Sequence, residues 1–373
     1  MGDVFEARTR RLQDRLADHE GDAVVCTASP NLYYLSGFFE HQSDRHLLCV
    51  VPESGDPSIV APALYETQLA EESWIADVRT YGDDGDPLAR VATAARDLDV
   101  ADGHLLLDPT MYARFTIDLR ETLAGATFGL AGDVMTALRI TKDEAELEAI
   151  RAASAVADAV IEEVRELGSD VLGRTETAVA RTIERSLADH GGEKPAFEVI
   201  VGSGPNGAKP HHTHGDRTIE RGDPVVLDFG TRVDHYPSDQ TRTVVFGGDP
   251  PDGFEEAFRA VRDAQTAAVD AIEPGVAAAT VDRAARSVLE DRGYGEAFVH
   301  RTGHGVGLDV HEAPEIVGGN DRTLRPGMVT SVEPGVYVPG EFGVRIEDLV
   351  VVTADGATRL NHTHRGYEPT AEG

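Results

Sequence analysis

Two aspartates, Asp228 and Asp239, lie on either side of the turn of a β-hairpin that is predicted in the stretch from Val225 to Thr243. An apolar run ends at Asp228, a turn-prone segment follows, and the chain returns through Asp239 into a β-prone run. A carboxylate inside an apolar strand is costly to bury unless it is paired or binds a metal ion. Two such carboxylates on paired strands would repel each other, and a divalent cation would remove that repulsion. On this segment alone, turn or cap roles for both aspartates remain open.

A second pair of carboxylates, Glu333 and Glu347, lies in the apolar runs 329–338 and 342–352. Glu333 ends an apolar strand ahead of a Pro–Gly turn, and Glu347 is predicted inside a strand, where an unpaired charge would be expensive to bury. The second pair therefore indicates the same chemistry as the first.

Three histidines, His300, His304 and His311, lie between the two hairpins in a glycine-rich segment. A single histidine here is typically structural, whereas three in a segment that permits close approach indicate a functional site. Four carboxylates and one imidazole suit two divalent cations, and the carboxylates offset the charge of the ions. Because oxygen ligands predominate and no cysteine competes, we expect Mn²⁺, with Co²⁺, Fe²⁺ or Zn²⁺ as alternatives. Two metal ions about 3.5–4 Å apart suit hydrolysis of an amide or ester.

The elements that position these residues follow from the hydrophobic pattern. Residues 1–135 alternate short β-like runs with helical patterns, which predicts an α/β layer domain. The pattern then changes to long amphipathic helices, and Thr141 with Glu144 matches a capping box at the start of the first one. We therefore divide the chain into domains 1–135 and 136–373.

The second predicted domain contains the same order of elements twice: two helices, a histidine-containing loop and a carboxylate hairpin. The helix pairs are expected at about 141–164 with 175–190, and at about 253–271 with 280–293. This order predicts two similar half-domains that face each other, each contributing two carboxylates to a shared centre. The fold class is thus α/β (α+β).

The net charge of −32 is extreme, with 66 acidic residues against 34 basic ones, of which only three are lysines. The acidic residues are spread through predicted helices, which argues against a disordered acidic tail. Nucleic acid and anionic membranes are poor partners for such a surface. The composition is typical of adaptation to a salt-rich cytoplasm, where ions screen the self-repulsion.

Localisation is predicted from apolar runs and cysteines. No apolar run approaches the ~20 residues that a membrane span requires, and the N-terminal residues lack the apolar core of a signal peptide. Cys26 and Cys49 lie in apolar runs, so we expect two buried thiols in a reducing compartment instead of a disulfide. These features predict a soluble cytoplasmic protein.

Separated motifs in the second domain resemble those of the pita-bread metallopeptidases, which include Xaa-Pro dipeptidase (prolidase), aminopeptidase P and methionine aminopeptidase. The motifs are LDFG (227–230), SDQTRT (238–243), GHGVGLDVHE (303–312), SVEPG (331–335) and VRIED (344–348). The preceding section, with SPNLYYLSGF (29–38), resembles the creatinase-like N-terminal domain of the Xaa-Pro branch. Methionine aminopeptidases usually lack that domain, so the resemblance favours the Xaa-Pro branch and its pita-bread catalytic fold.

The resemblance implies a metal-ligand set. It makes Asp228 a ligand of one metal ion, and His304 and Glu333 ligands of the other. Asp239 and Glu347 would bridge the two ions.

The resemblance also implies roles around the metal centre. It places three histidines beside the substrate, namely His211, His300 and His311. Arg345 would orient the carboxylates. His212 and His214 match no family position, and we expect them to be solvated loop residues.

The implied activity is hydrolysis of the bond before proline, in dipeptides or in short peptides with proline in second position, by a homodimer. A dipeptidase needs a cation near the proline carboxylate, and prolidase-like members often have an arginine soon after the HE-x-P run. Here Glu315 follows Pro314, and Arg322 and Arg325 are the nearby candidates. The alternatives are a metallohydrolase of the same fold acting on another amide, such as a modified amino acid or compatible solute, and a non-catalytic peptide-binding protein.

Overall fold

The computed structural model describes residues 2–369, which divide into two compact units, one ending at Arg139 and the other beginning at Ile140. Among these residues no helix combines the length and apolarity needed to cross a membrane.

The first unit is a layered α/β structure, as expected. Its helices are α1 (Gly2–Leu16), α2 (Pro30–Ser36), α3 (Glu66–Glu72), α4 (Pro87–Asp97), α5 (Ala113–Thr122) and α6 (Gly132–Arg139). Its strands are β1 (Ala23–Thr27), β2 (Leu48–Pro52), β3 (Ser58–Pro62), β4 (Asp77–Tyr81), β5 (His104–Leu107) and β6 (Thr127–Leu130). They form one sheet in the order β4-β3-β2-β1-β5-β6, in which β2 runs antiparallel to both of its neighbours. The residues of β1 and β2 are buried, as expected for the apolar centre of a sheet covered by helices.

The predicted buried thiols lie on these central strands. Cys26 of β1 and Cys49 of β2 are directly opposite in the antiparallel ladder. Both are free thiols with fully buried side chains, as predicted.

The second unit contains the two helix pairs and the carboxylate hairpins. Its helices are α7 (Glu144–Glu166), α8 (Glu176–Asp189), α9 (Phe254–Asp270) and α10 (Ala278–Asp291). Its strands are β7 (Ile200–Ser203), β8 (Pro224–Phe229), β9 (Arg232–Val233), β10 (Tyr236–Pro237), β11 (Gln240–Val245), β12 (Gly303–Gly305), β13 (Glu312–Ile316), β14 (Val329–Val332), β15 (Gly335–Val338), β16 (Phe342–Arg345), β17 (Asp348–Thr353) and β18 (Gly356–Arg359).

The predicted duplication is confirmed by two separate packing groups in this unit. In one half the antiparallel sheet β11-β8-β7 packs its apolar residues against α7 and α8. In the other half the sheet β13-β12-β14-β17-β18 shares a core with α9 and α10. An antiparallel bridge between Thr241 and Glu347 joins the two halves, and it brings the two carboxylate hairpins together.

The predicted start of α7 was wrong by two residues. Asp143 is the N-cap: its side chain accepts from the backbone of Glu146, and the Glu146 carboxylate accepts from the backbone of Asp143. Asp is as good a cap as Thr, and the backbone N–H of Lys142 is engaged by the carbonyl of Gly327. The helix therefore begins after that tertiary contact, which the local pattern of Thr141 does not reveal.

Candidate metal centre

The first carboxylate pair lies on the hairpin that the sequence predicts. Strands β8 and β11 pair so that Asp228 lies opposite Thr241, and Asp239 directly precedes β11. Both aspartates are buried. Their position at the same end of the hairpin results from the register of the apolar residues that flank them.

The second pair comes from the other half of the unit. Glu333 follows β14, and Glu347 lies between β16 and β17, so its predicted place inside a strand was wrong. The bridge to the first half explains the interruption. The backbone N–H of Glu347 donates to the carbonyl of Thr241, and the Thr241 hydroxyl donates to Glu347 Oε2 over 2.7 Å.

His304 on β12 connects the carboxylates. Its Nε2 lies 3.4 Å from Glu333 Oε1 and 3.7 Å from Asp239 Oδ2. Ligand atoms of Asp239, His304 and Glu347 all lie within 4.8 Å of one another. The Nδ1 of His304 lies 3.2 Å from the carbonyl oxygen of Gly305, which can only accept, so Nδ1 carries the proton and Nε2 presents a lone pair to the carboxylates. Burial lowers the pKa of His304 to about 3, which keeps the ring neutral.

The pKa shifts of the carboxyl groups also favour a metal centre. Burial, followed by the charge of neighbouring carboxylates, raises the pKa values of Asp239 and Glu347 well above the ordinary range. Burial also raises the pKa of Glu333 to about 7. Among residues 2–369, Asp228 Oδ1 and Glu347 Oε1 are buried without a hydrogen-bond partner. Orphaned acceptors are expensive to bury, and divalent cations would satisfy them, so the donor set fits a metal centre.

Arg345 fixes the side chain of Asp228 through a hydrogen-bond network. Its Nη2 donates to Asp228 Oδ2 over 2.5 Å, its Nε to the hydroxyl of Thr241, and its Nη1 to the hydroxyl of Tyr337 over 2.8 Å. Burial opposes the charge of Arg345, but the surrounding acidic groups outweigh it and raise the guanidinium pKa well above its ordinary value. The arginine is thus a fixed cation that orients one carboxylate and one phenol.

Sequence reasoning missed Tyr337, because a tyrosine in an apolar strand is normally a core residue. Its hydroxyl lies between Arg345 and His300, 2.8 Å from each. The pairing of β15 with β16 could have indicated this role of Tyr337. Tyr337 pairs with Gly343 there, which puts it diagonal to Arg345 on the same face.

His300 is held through both ring nitrogens. Its Nδ1 lies 2.8 Å from the backbone carbonyl of Arg301, and its Nε2 lies 2.8 Å from the hydroxyl of Tyr337. The carbonyl can only accept, so Nδ1 donates and the neutral Nε2 accepts from the tyrosine. Burial lowers the pKa of His300 to about 4, in agreement with a neutral ring.

The remaining predicted histidines line the same cavity from its open side. The His311 ring centroid lies 4.2 Å from that of His304, and burial lowers its pKa. His211 is exposed on the loop that follows β7. Within residues 2–369, the rings of His211 and His311 form no hydrogen bond, so both are available to a substrate.

The prediction that His212 and His214 are solvated loop residues was wrong. Nε2 of His212 lies 2.8 Å from a carboxylate oxygen of Glu176, whose side chain is fully buried, and the His214 ring lies 3.1 Å from the hydroxyl of Thr177. Glu176 also accepts from the backbone N–H groups of Ser203 and Gly215. A buried carboxylate at the start of α8 therefore fastens both ends of the loop that carries His211.

The cavity has a volume of about 580 Å³, which is typical of small-molecule sites. All nine predicted site residues line it: Asp228, Asp239, His304, Glu333, Glu347, His211, His300, His311 and Arg345. The rest of its wall comprises Phe197, Glu198, Ile200, Pro210, Thr213, Arg301 and Val310. Arg322 and Arg325 are exposed and outside this wall, so neither is the cation expected near a substrate carboxylate.

Comparison with known proteins agrees with the fold. Residues 148–354 match the model of metallopeptidase family M24, and residues 8–166 match the Creatinase/Prolidase N-terminal domain. The motif resemblance is thereby confirmed.

Full-length relatives extend this agreement. The chain is 41% identical to the probable dipeptidase PepE of Mycobacterium tuberculosis over 365 residues, covering 96% of this chain and 95% of that protein. It is 34% identical to the Xaa-Pro dipeptidase of Pyrococcus horikoshii, covering 97% and 99%. Among solved structures, the prolidase of Thermococcus sibiricus is 34% identical, with a TM-score of 0.92 over 98% of each chain.

Proposed function

Because the chain belongs to metallopeptidase family M24, we propose that it hydrolyses the peptide bond before proline in short Xaa-Pro peptides. As a member of this family it is a metal-dependent peptidase. The substrate proposal is supported by its similarity to proteins named Xaa-Pro dipeptidase and prolidase along nearly their whole length.

One observation carries the proposal. Two oxygen atoms of Asp228 and Glu347 are buried without partners, in a cavity where the lone pair of His304 also faces carboxylate oxygens. Divalent cations would satisfy these oxygen atoms and the imidazole lone pair together. We propose Asp228, Asp239, His304, Glu333 and Glu347 as the ligands of two divalent ions, with Mn²⁺ as the physiological metal because oxygen donors predominate.

Bound divalent ions supply Lewis-acid polarisation of the peptide carbonyl and a lower pKa for the attacking water. The protein side chains supply the proton transfers and the alignment. Glu333 accepts the proton of the attacking water at its carboxylate. Arg345 keeps Asp228 in one orientation, since its guanidinium is bonded to that carboxylate and to Tyr337.

The imidazoles divide into two groups by their hydrogen bonds. Both nitrogens of His300 are engaged, by Tyr337 and by a backbone carbonyl, so His300 positions the phenol and forms part of the wall. The rings of His211 and His311 line the same cavity without such bonds. We assign to them the stabilisation of charge on the carbonyl oxygen. The proton that Glu333 takes from the attacking water passes to the departing proline nitrogen.

A hydrolysis panel tests the proposal. Mn²⁺-supplemented protein is assayed in molar KCl with Leu-Pro, Leu-Pro-Gly, Met-Ala-Ser and N-acetyl-leucine. The expected result is release of leucine from at least one Xaa-Pro substrate, with no methionine released from Met-Ala-Ser and no leucine released from N-acetyl-leucine. Cleavage of N-acetyl-leucine alone would identify the alternative metallohydrolase, and the absence of all hydrolysis by metal-loaded protein would identify a binding protein.

The environment of the protein is a further part of the proposal. The charge of −32 and the presence of only three lysines support a salt-rich cytoplasm, where ions screen self-repulsion. We expect the free energy of unfolding to be higher in molar KCl than in dilute buffer. Equal stability in the two would contradict the adaptation. The homodimer remains a prediction from the family resemblance, and sedimentation in molar KCl measures it.

A further inference from the structure

The cavity wall contains two arginines that differ in burial and in hydrogen bonding. The guanidinium of Arg345 is buried and bonded to Asp228, Thr241 and Tyr337. Arg301 is partly exposed, and its guanidinium forms no hydrogen bond or ion pair with any other residue in the range 2–369. Arg301 therefore presents a positive charge to the cavity with no anion of the protein bound to it.

The position of Arg301 follows from its segment. It lies between His300, whose ring contacts its backbone carbonyl, and His304 on β12. Arg301 lines the same cavity wall as His304, His311 and Glu333. It therefore borders the space that contains the proposed metal ligands.

The charge balance of the loaded site leaves Arg301 available. Four carboxylates offset two divalent ions, and the guanidinium of Arg345 is already bonded to one of those carboxylates. Arg301 has no such bond, because among residues 2–369 it forms no ion pair with Glu198, the fifth carboxylate of the wall. In a chain with a net charge of −32, an unpaired cation in the cavity wall would favour binding of an anionic substrate group at that place.

The chemistry of a dipeptide matches this arrangement. In an Xaa-Pro dipeptide the free carboxylate belongs to the residue directly after the scissile bond, whereas in a longer peptide an uncharged amide occupies that place. The apolar wall residues Phe197, Ile200 and Val310 suit a proline ring and an apolar side chain. Glu315, at the position where prolidase-like sequences often have an arginine, is exposed and outside the cavity wall.

We propose that Arg301 binds the free C-terminal carboxylate of the substrate and makes this chain a dipeptidase. This inference rests on the proposed hydrolysis of Xaa-Pro bonds and adds the substrate class to it. A guanidinium can donate two parallel hydrogen bonds to a carboxylate, which gives orientation as well as affinity.

The test compares an acid with its amide. Leu-Pro and Leu-Pro-amide are assayed with the Mn²⁺-loaded wild type, Arg301→Ala and Arg301→Lys, and with Arg322→Ala as a control that removes the same charge outside the cavity. We expect the wild type to prefer the acid. Arg301→Ala should lower kcat/KM for the acid by roughly 10- to 100-fold, mainly through KM, and leave the amide unchanged. Arg301→Lys should recover part of the loss, and Arg322→Ala should match the wild type.

A binding measurement separates this role from metal binding. Calorimetric titration of the Mn²⁺-loaded protein with L-proline and with prolinamide should show tighter binding of proline, and Arg301→Ala should abolish the difference with unchanged metal content. An unchanged acid-to-amide ratio in Arg301→Ala, or a loss of metal in that variant, overturns the role of Arg301 while Xaa-Pro hydrolysis stands. Failure of the wild type to cleave any Xaa-Pro substrate overturns the proposed function itself.

Discussion

Arg345 donates to one oxygen of Asp228 over 2.5 Å, while the other oxygen of the same carboxylate is buried with no hydrogen-bond partner among residues 2–369. One half of the carboxylate is therefore fixed by the protein, and the other half is left for a ligand. A metal ligand whose orientation is set in advance loses less freedom on binding than one that must be ordered.

Replacement of Arg345 by lysine should weaken metal binding. An ammonium cannot reproduce the fork that holds Asp228 and Tyr337 together, so Asp228 loses its fixed orientation. We expect the affinity for Mn²⁺ to fall by about 10- to 100-fold in calorimetric titration of the metal-free protein. Arg322→Lys serves as the exposed control. Equal affinities for wild type and Arg345→Lys would show that the guanidinium does not organise the site.

Removal of the metal should destabilise the protein. Asp239 and Glu347 are buried beside other carboxylates, and bound cations would relieve the repulsion between their charged forms. A ligand that binds only the folded state adds about 2.7 kcal/mol at a hundredfold excess over its Kd. Scanning calorimetry should therefore show a lower Tm in a chelator and recovery with added Mn²⁺. The prediction fails if the two Tm values coincide.

Glu176→Gln should lower activity without removing metal. The buried carboxylate fastens the loop of His211 through bonds from His212, Ser203 and Gly215, and none of the predicted metal ligands contacts it. The loss of charged hydrogen bonds in a buried place costs about 1–3 kcal/mol, and the loop becomes less well positioned. We expect about a tenfold lower kcat/KM with wild-type metal content. Glu184→Gln, exposed on the same helix, is the matched control.

The carboxylate of Glu176 should make the stability of the fold depend on pH. Burial alone would raise the pKa of Glu176, but hydrogen bonds from His212, Ser203 and Asn206 outweigh it and hold the pKa below its ordinary value. Because the pKa of Glu176 is lower in the folded state, its ionised carboxylate stabilises the fold at pH values above the ordinary glutamate pKa. This contribution is lost as the pH falls through the folded-state pKa. Acid unfolding followed by circular dichroism should show a smaller loss of stability for Glu176→Gln than for the wild type. Identical acid profiles would contradict this role.

The two thiols should be inert in the folded protein. Burial raises the pKa of Cys49 to about 12 and that of Cys26 well above its ordinary value. Iodoacetamide at pH 8 should label neither in the native protein and both in guanidinium chloride. Because the unfolded thiols ionise near pH 8.5, the stability contributed by the buried thiols is complete below that pH and lost as the pH rises toward 12. Rapid native labelling would contradict the buried arrangement.

The residues that we propose as metal ligands were recognisable in the sequence because the carboxylates lie in or directly beside apolar runs. Asp228 and Glu333 are recognisable from their neighbours alone, without knowledge of the fold. Apolar residues that recur every three or four positions predicted the buried face of α7, since burial of one helix face requires that spacing.

The residues that support the ligands were harder to predict because their partners are distant in the chain. Thr241 and Glu347 are separated by 106 positions, and their contact exists only after the two halves have docked. Tyr337 acquires its role from Arg345, on the paired strand of the same hairpin, and from His300, which lies 37 positions away in the chain. His212 looked solvated because its partner, Glu176, is a helix residue whose burial depends on the packing of the loop above it.

Metal content per chain tests the central claim most directly. Elemental analysis of protein equilibrated with Mn²⁺ and freed of excess metal should find about two ions per wild-type chain. Asp239→Ala and Glu347→Ala, which each remove a proposed metal ligand, should contain markedly less metal and have no measurable Xaa-Pro hydrolysis. Active wild-type protein without a bound transition metal, or full activity in either variant, would contradict a shared metal centre.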